Sequence, residues 1–136
     1  MLETYAQSYA KFFTELSPAS LEQFEDYFAE NVHFRDPFND VYGIKATRKV
    51  FAHMYEQCPQ ARFTVHEIAV NATSAYLYWI FVCRDDLTLE GLSLVRFDAQ
   101  GRVVEHLDYW DPAAQLYSKI PVLGGVLRWV RKRLTA

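Results

Sequence analysis

Leu2, Tyr5, Ala6, Tyr9, Phe12, Phe13 and Leu16 recur at the three- and four-residue spacing of an amphipathic helix. ELSPAS interrupts that stripe. Ser20 with Gln23 three places on is a capping-box pattern, and Leu21, Phe24, Tyr27 and Phe28 then predict a second helix. ENVHFRDP reads as a short strand ended by Pro37, with Val32, Phe34 and Asp36 on one face and His33 and Arg35 on the other. A loop, FNDVYG, leads to a third helix. Ile44, Thr47, Phe51, Met54 and Cys58 line its inner side, and Pro59 stops it.

Alternation with a period of two takes over after Pro59. It predicts strands over Arg62–Val70, Tyr76–Arg84, Leu89–Phe97 and Arg102–Trp110, separated by NATS, DD and DAQG. Asp111 followed by Pro112 has the form of an N-cap and a first helical position, opening a short helix to about Ser118. Three helices around one short strand, then an antiparallel meander, make an α+β protein whose helices pack on one face of a curved sheet. Such a sheet can curl into a cone with a pocket under the helices. The organisation expected is one domain over residues 1–118, with residues 119–136 as its basic amphipathic helical tail.

The last predicted strand carries the candidate chemistry. In VVEHLDYWDP, residues two apart share a face, so His106, Asp108 and Trp110 are neighbours. Pairing Phe97 with Arg102 across DAQG would set Ser93 opposite His106 and Gly91 opposite Asp108, leaving space above that carboxylate. A carboxylate among aromatic side chains has its charged form disfavoured, which suits a base acting on a weakly acidic C–H.

Composition narrows the classes. Five of the 14 basic residues lie from Lys119 onward with none of the 17 acids, so residues 1–118 carry a balance of −8. A body so acidic is a poor nucleic-acid binder. No phosphate loop, nucleotide fingerprint or metal-ligand spacing occurs. Cys58 and Cys83 are expected as ordinary buried thiols, with a single disulfide as the alternative. The first residues hold Glu3 and a helical pattern rather than a charged-then-apolar leader, so the cytoplasm is the expected compartment.

YFAENVHFRDP, YGIKATRKVFAHM and VRFDAQGRVVEHLDYWD, in that order and spacing, resemble the SnoaL-like polyketide cyclases and ketosteroid isomerases of the nuclear-transport-factor-2-like superfamily. The resemblance covers roughly Tyr5 to Pro112 and implies a cone-shaped NTF2-like fold. In the isomerases the aspartate of the strand-ending Asp-Pro pair is the general base, which is Asp36 here. A first-helix tyrosine donates to the oxyanion there, and Tyr9 is the nearest match. Ser93 stands where that family has a protonated aspartate. In the SnoaL-like cyclases the acid/base group matches Asp108, with His106 beside it. The resemblance also implies a homodimer through the outer sheet face.

These readings converge on catalysis without a cofactor or metal. The reaction would be an isomerisation, cyclisation or dehydration of a small apolar carbonyl compound. Asp108, His106, Asp36 and Tyr9 are the expected catalytic set. Ser93, Trp110, Phe34, Phe13 and Tyr55 are the expected substrate contacts. The alternative is a binding or scaffold protein in which His106 and Asp108 satisfy each other, Asp36 shapes its turn and Tyr9 is core. In the tail, Leu123, Val126, Leu127, Val130 and Leu134 have helical spacing among Arg128, Arg131, Lys132 and Arg133. Residues 120–136 could lie on a membrane surface. Docking on this protein's own acidic body, or padding a dimer, is the preferred reading.

Overall fold

The computed structural model describes residues 1–117 and 121–135. Helix α1 (Leu2–Thr14) buries Ala6, Tyr9, Ala10, Phe12 and Phe13, the stripe its spacing predicts. A 3-10 helix (Pro18–Gln23) and a single turn, α2 (Phe24–Tyr27), replace the expected second helix. Pro18 sits at its start, and the Ser17 N–H donates to Ser20 Oγ at 3.0 Å, so the cap forms one turn earlier than Ser20–Gln23. Phe28 already belongs to strand β1 (Phe28–Arg35). Strand β2 (Asp40–Tyr42), helix α3 (Ile44–Gln57) and strands β3 (Arg62–Val70), β4 (Ala75–Arg84), β5 (Leu87–Phe97) and β6 (Val103–Tyr109) follow. Short helix α4 (Pro112–Gln115) is capped by Asp111, whose Oδ1 accepts the Ala114 N–H at 3.1 Å. Helix α5 spans Pro121–Leu134. The expected boundary between residues 118 and 119 lies outside the described residues.

The six strands form one open sheet in the order β2-β1-β6-β5-β4-β3. Strands β3 to β6 form the expected antiparallel meander, and β1 joins β6 in parallel, which makes the sheet mixed and sets Phe34 beside His106. Alternation assigns faces but not strand direction, so the pattern alone could not show this. Strand β2 lies where a loop was expected. It is a three-residue edge strand that takes its extended form from pairing with His33, Phe34 and Arg35 of β1.

Strand β4 points Ala75, Leu77, Trp79, Phe81 and Cys83 inward, and the helices cover that face. Phe13 of α1 meets Phe63 of β3 edge-on at 5.4 Å, and Phe51 of α3 meets Phe34 of β1 at 5.4 Å. The two cysteines are not free. Pro59 ends α3 so that Cys58 stands over inward-facing Cys83, with Cα atoms 5.0 Å apart, and the two form a disulfide. It ties the end of α3 to the sheet.

The β5–β6 hairpin differs from expectation by two residues. Ser93 faces Asp108 and Val95 faces His106, with a bulge next to Phe97. The cause is the turn. Asp98 Oδ1 accepts the N–H groups of Gln100 (2.9 Å) and Arg102 (3.0 Å), and Gly101 adopts φ +81°. An even shift keeps every side chain on its face, so Ser93, His106 and Asp108 still point inward together.

Candidate functional site

Five side chains from four elements meet beneath α1. His106 is buried between the rings of Phe13 and Phe34, at centroid distances of 5.5 and 5.1 Å. Its Nδ1 lies 2.7 Å from the Tyr9 hydroxyl, and its Nε2 lies 2.7 Å from Asp108 Oδ1. The Ser93 hydroxyl donates to the same Oδ1 and itself accepts the Trp79 Nε1–H at 2.8 Å.

The donors and acceptors fit one arrangement. Indole N–H groups only donate and carboxylates only accept. The Ser93 hydroxyl therefore passes its hydrogen to Asp108. Burial pushes the Tyr9 phenol well above its usual pKa and the Asp108 charge adds to this, so the phenol keeps its proton. With Tyr9 donating to Nδ1, Nε2 carries the ring hydrogen and points it at Asp108. Asp108 Oδ1 thus takes two hydrogen bonds, while Oδ2 accepts none among the described residues.

Asp108 stands where two chambers meet. The inner one is walled by Phe13, Phe51, Phe63 and Leu77 and carries Ser93, His106 and Asp108 as its polar groups. About 20 Å³ of it is open to the centre of a water molecule. The outer chamber shares Phe51, Phe63, Trp79 and Asp108 with it, adds Phe34, Asp36 and Trp110, and offers about 180 Å³ on the same measure. Neither has a Lys or Arg on its wall.

Asp36 enters the outer chamber from the loop after β1. The N–H groups of Phe38 (2.8 Å) and Asn39 (2.7 Å) donate to its Oδ1. Burial nevertheless raises its pKa against those donors, and the charge of Asp108 pushes the same way. Asp36 therefore shapes its turn and also faces the chamber.

Of the expected substrate contacts, Ser93 and Phe13 line the inner chamber, and Phe34 and Trp110 the outer. Tyr55 lines neither. It is buried in α3, its hydroxyl has no partner among the described residues, and burial pushes its pKa up to about 12. Tyr9 also lines neither chamber. Its hydroxyl is hydrogen-bonded to His106 Nδ1. Sequence reasoning missed Trp79 and Asn39. The signal for Trp79 was Gly91, its partner across β4–β5. A Cβ on Gly91 would fall 2.4 Å from Trp79 Cζ2, so the glycine is where the indole lies. The space above Gly91 is filled by that ring, and the register sets Ser93, not Gly91, opposite Asp108.

Helices laid on one face of an open, curved six-stranded sheet, with a carboxylate–imidazole pair between them, define an NTF2-like α+β protein. The chain belongs to the family of the SnoaL-like domain, whose model matches residues 9–106. That match takes in Tyr9, Asp36, Ser93 and His106 and stops two residues before Asp108.

Among solved structures, the chain is similar to a provisionally named isomerase of the SnoaL-like family from Agrobacterium tumefaciens str. C58. The identity is 19%, the TM-score 0.67, and 81% of this chain and 97% of that one are covered. It is similar to a provisionally named ketosteroid isomerase from Kribbella flavida DSM 17836 at 21% identity, TM-score 0.66, covering 81% and 79%. A provisionally named SnoaL-like polyketide cyclase from Jannaschia sp. CCS1 matches at 15% identity, TM-score 0.70, covering 82% and 88%. These likenesses carry the fold. No curated protein matches the sequence.

Proposed function

We propose that the protein catalyses proton transfer beside a carbonyl of a small apolar molecule without a cofactor, as an isomerase, cyclase or dehydratase does. The observation that carries this is Asp108. Its Oδ1 is held by His106 and Ser93, its Oδ2 is unpartnered among the described residues, and its walls are aromatic. Oδ2 would take the proton. The Nε2–H of His106 lies beside the acceptor and can turn its hydrogen bond toward a developing enolate. Asp36, reluctant to ionise, is a second donor on the wall of the same chamber. Chambers without Lys or Arg favour a substrate that is not an anion. The same reading assigns the outer sheet face to a homodimer, supported by exposed Leu92 and Tyr109, paired across β5–β6.

The test is exchange of α-hydrogens for deuterium in a panel of cyclic ketones, followed by NMR in D₂O. The protein should accelerate exchange in at least one ketone, and Asp108→Asn should lower that rate by about a hundredfold or more with its circular dichroism unchanged. Exchange that survives Asp108→Asn would remove the assignment. One observation favours a second reading, binding without turnover: the inner chamber has room for little more than a water molecule. Ketones that bind but never exchange above the buffer rate would select it.

A further inference from the structure

Helix α5 presents an apolar stripe that is exposed over most of its length. Leu123, Val126, Val130 and Leu134 are exposed, Leu134 to 80% and Trp129 to 57%. On a turn of 3.6 residues, Leu123, Leu127, Val130 and Leu134 form one line with Val126 at its edge. Arg131 falls on one flank of that line and Arg133 on the other, while Arg128 and Lys132 lie opposite. The Arg133 guanidinium sits 4.6 Å over the Trp129 ring, which projects from the polar side of the helix. The helix contains no acid. No residue of α5 belongs to the hydrophobic core; Gly124 is buried and Leu127 half-buried, and the rest of the stripe is exposed.

We infer that α5 docks on an anionic lipid surface, its apolar stripe in the acyl boundary and its arginines among the headgroups. The stripe is narrow and has a cation on each flank. A bilayer with anionic headgroups offers an apolar layer and negative charge in that same order along its normal. The long stems of Arg131 and Arg133 can reach up to the headgroups while the stripe sits below them. The helix runs about 21 Å, and among the described residues no helix is long and apolar enough to cross a membrane. It therefore lies along the surface.

Docking would place the chamber there too. Trp110 on the outer chamber wall meets Phe38 at 5.6 Å, and Phe38 meets Tyr117 at 6.1 Å. Pro121 follows Tyr117 by four residues, a reach of at most about 14 Å. The inference does not depend on the chemistry of Asp108.

The full chain is tested by flotation with phosphatidylglycerol-rich vesicles and with pure phosphatidylcholine vesicles, at low and high salt. The protein should float with the anionic vesicles at low salt and bind the neutral ones about tenfold less or weaker. Val126→Glu with Val130→Glu should reduce binding by about tenfold or more, and so should Arg131→Glu with Arg133→Glu. Asp108→Asn should float like the wild type. The stripe residues lie outside the core, so circular dichroism of both double variants should match the wild type. No flotation with either vesicle, or flotation that both double variants retain, would overturn the inference. Absent flotation together with a dimer that Val126→Glu and Val130→Glu splits would assign the stripe to a second copy instead.

Discussion

His106 has a committed partner on each ring nitrogen, which fixes what it can do. Tyr9 can donate to Nδ1 only if that nitrogen is bare, and then Nε2 must carry the hydrogen. Long-range ¹⁵N–¹H NMR should therefore show His106 as the Nε2–H tautomer near neutral pH. Tyr9→Phe removes the donor. It should cost about 1 kcal/mol in urea unfolding, the worth of one hydrogen bond, and let the Nδ1–H form appear in the same spectrum. An unchanged tautomer would mean that the Asp108 carboxylate alone orients the ring. The distinction affects chemistry, because only the Nε2–H form places a donor beside the oxygen atoms of Asp108.

At the scale of elements, the site depends on how β4 and β5 lie against each other. Trp79 reaches Ser93 because Gly91 has no Cβ in the way. Gly91→Ala should push the indole off β5 and free the Ser93 hydroxyl. The expected loss is about 1–3 kcal/mol, the usual cost of overpacking, read by urea unfolding together with the Trp fluorescence of the folded state. Full stability with an unshifted spectrum would show that the ring has room to spare.

This contact also shows what a sequence can and cannot reveal. Period-two alternation placed Ser93, His106 and Asp108 on one face, and that held although the register moved by two residues, since faces survive an even shift. The register itself depended on Asp98 capping its own turn, a side-chain choice that alternation does not encode. The parallel join of β1 to β6 and the three-residue β2 were equally silent, because both are set by a neighbouring strand and not by local pattern. Tyr9 was named by resemblance, but its contact with His106 was not. Whether a phenol faces a cavity or the back of an imidazole is decided by packing between distant segments.

Over the whole molecule, two covalent and topological features hold the chambers open to one shape. The Cys58–Cys83 disulfide closes a loop of 25 residues between α3 and β4, whose side chains wall both chambers. By chain entropy it should contribute about 3 kcal/mol. Replacing both cysteines by serine should lower the free energy of urea unfolding by that amount, and dithiothreitol should do the same to the wild type. A midpoint indifferent to both would show that the helix is held by its apolar face alone.

The other feature is the seam between β1 and β6. It brings Tyr9 and Phe34 to His106, and Tyr9 and His106 are 97 positions apart. While the chain emerges from a ribosome, helix α1 and strand β1 are complete long before β6 has been made. Until then β1 has a bare edge where β6 will pair, and the apolar residues of α1 have only part of their floor. Contacts so distant in sequence form slowly. An unfinished chain exposes that edge to other nascent chains, and it has neither the imidazole nor the carboxylate. Completion of the sheet and the acquisition of chemistry are therefore a single late event in the life of each molecule.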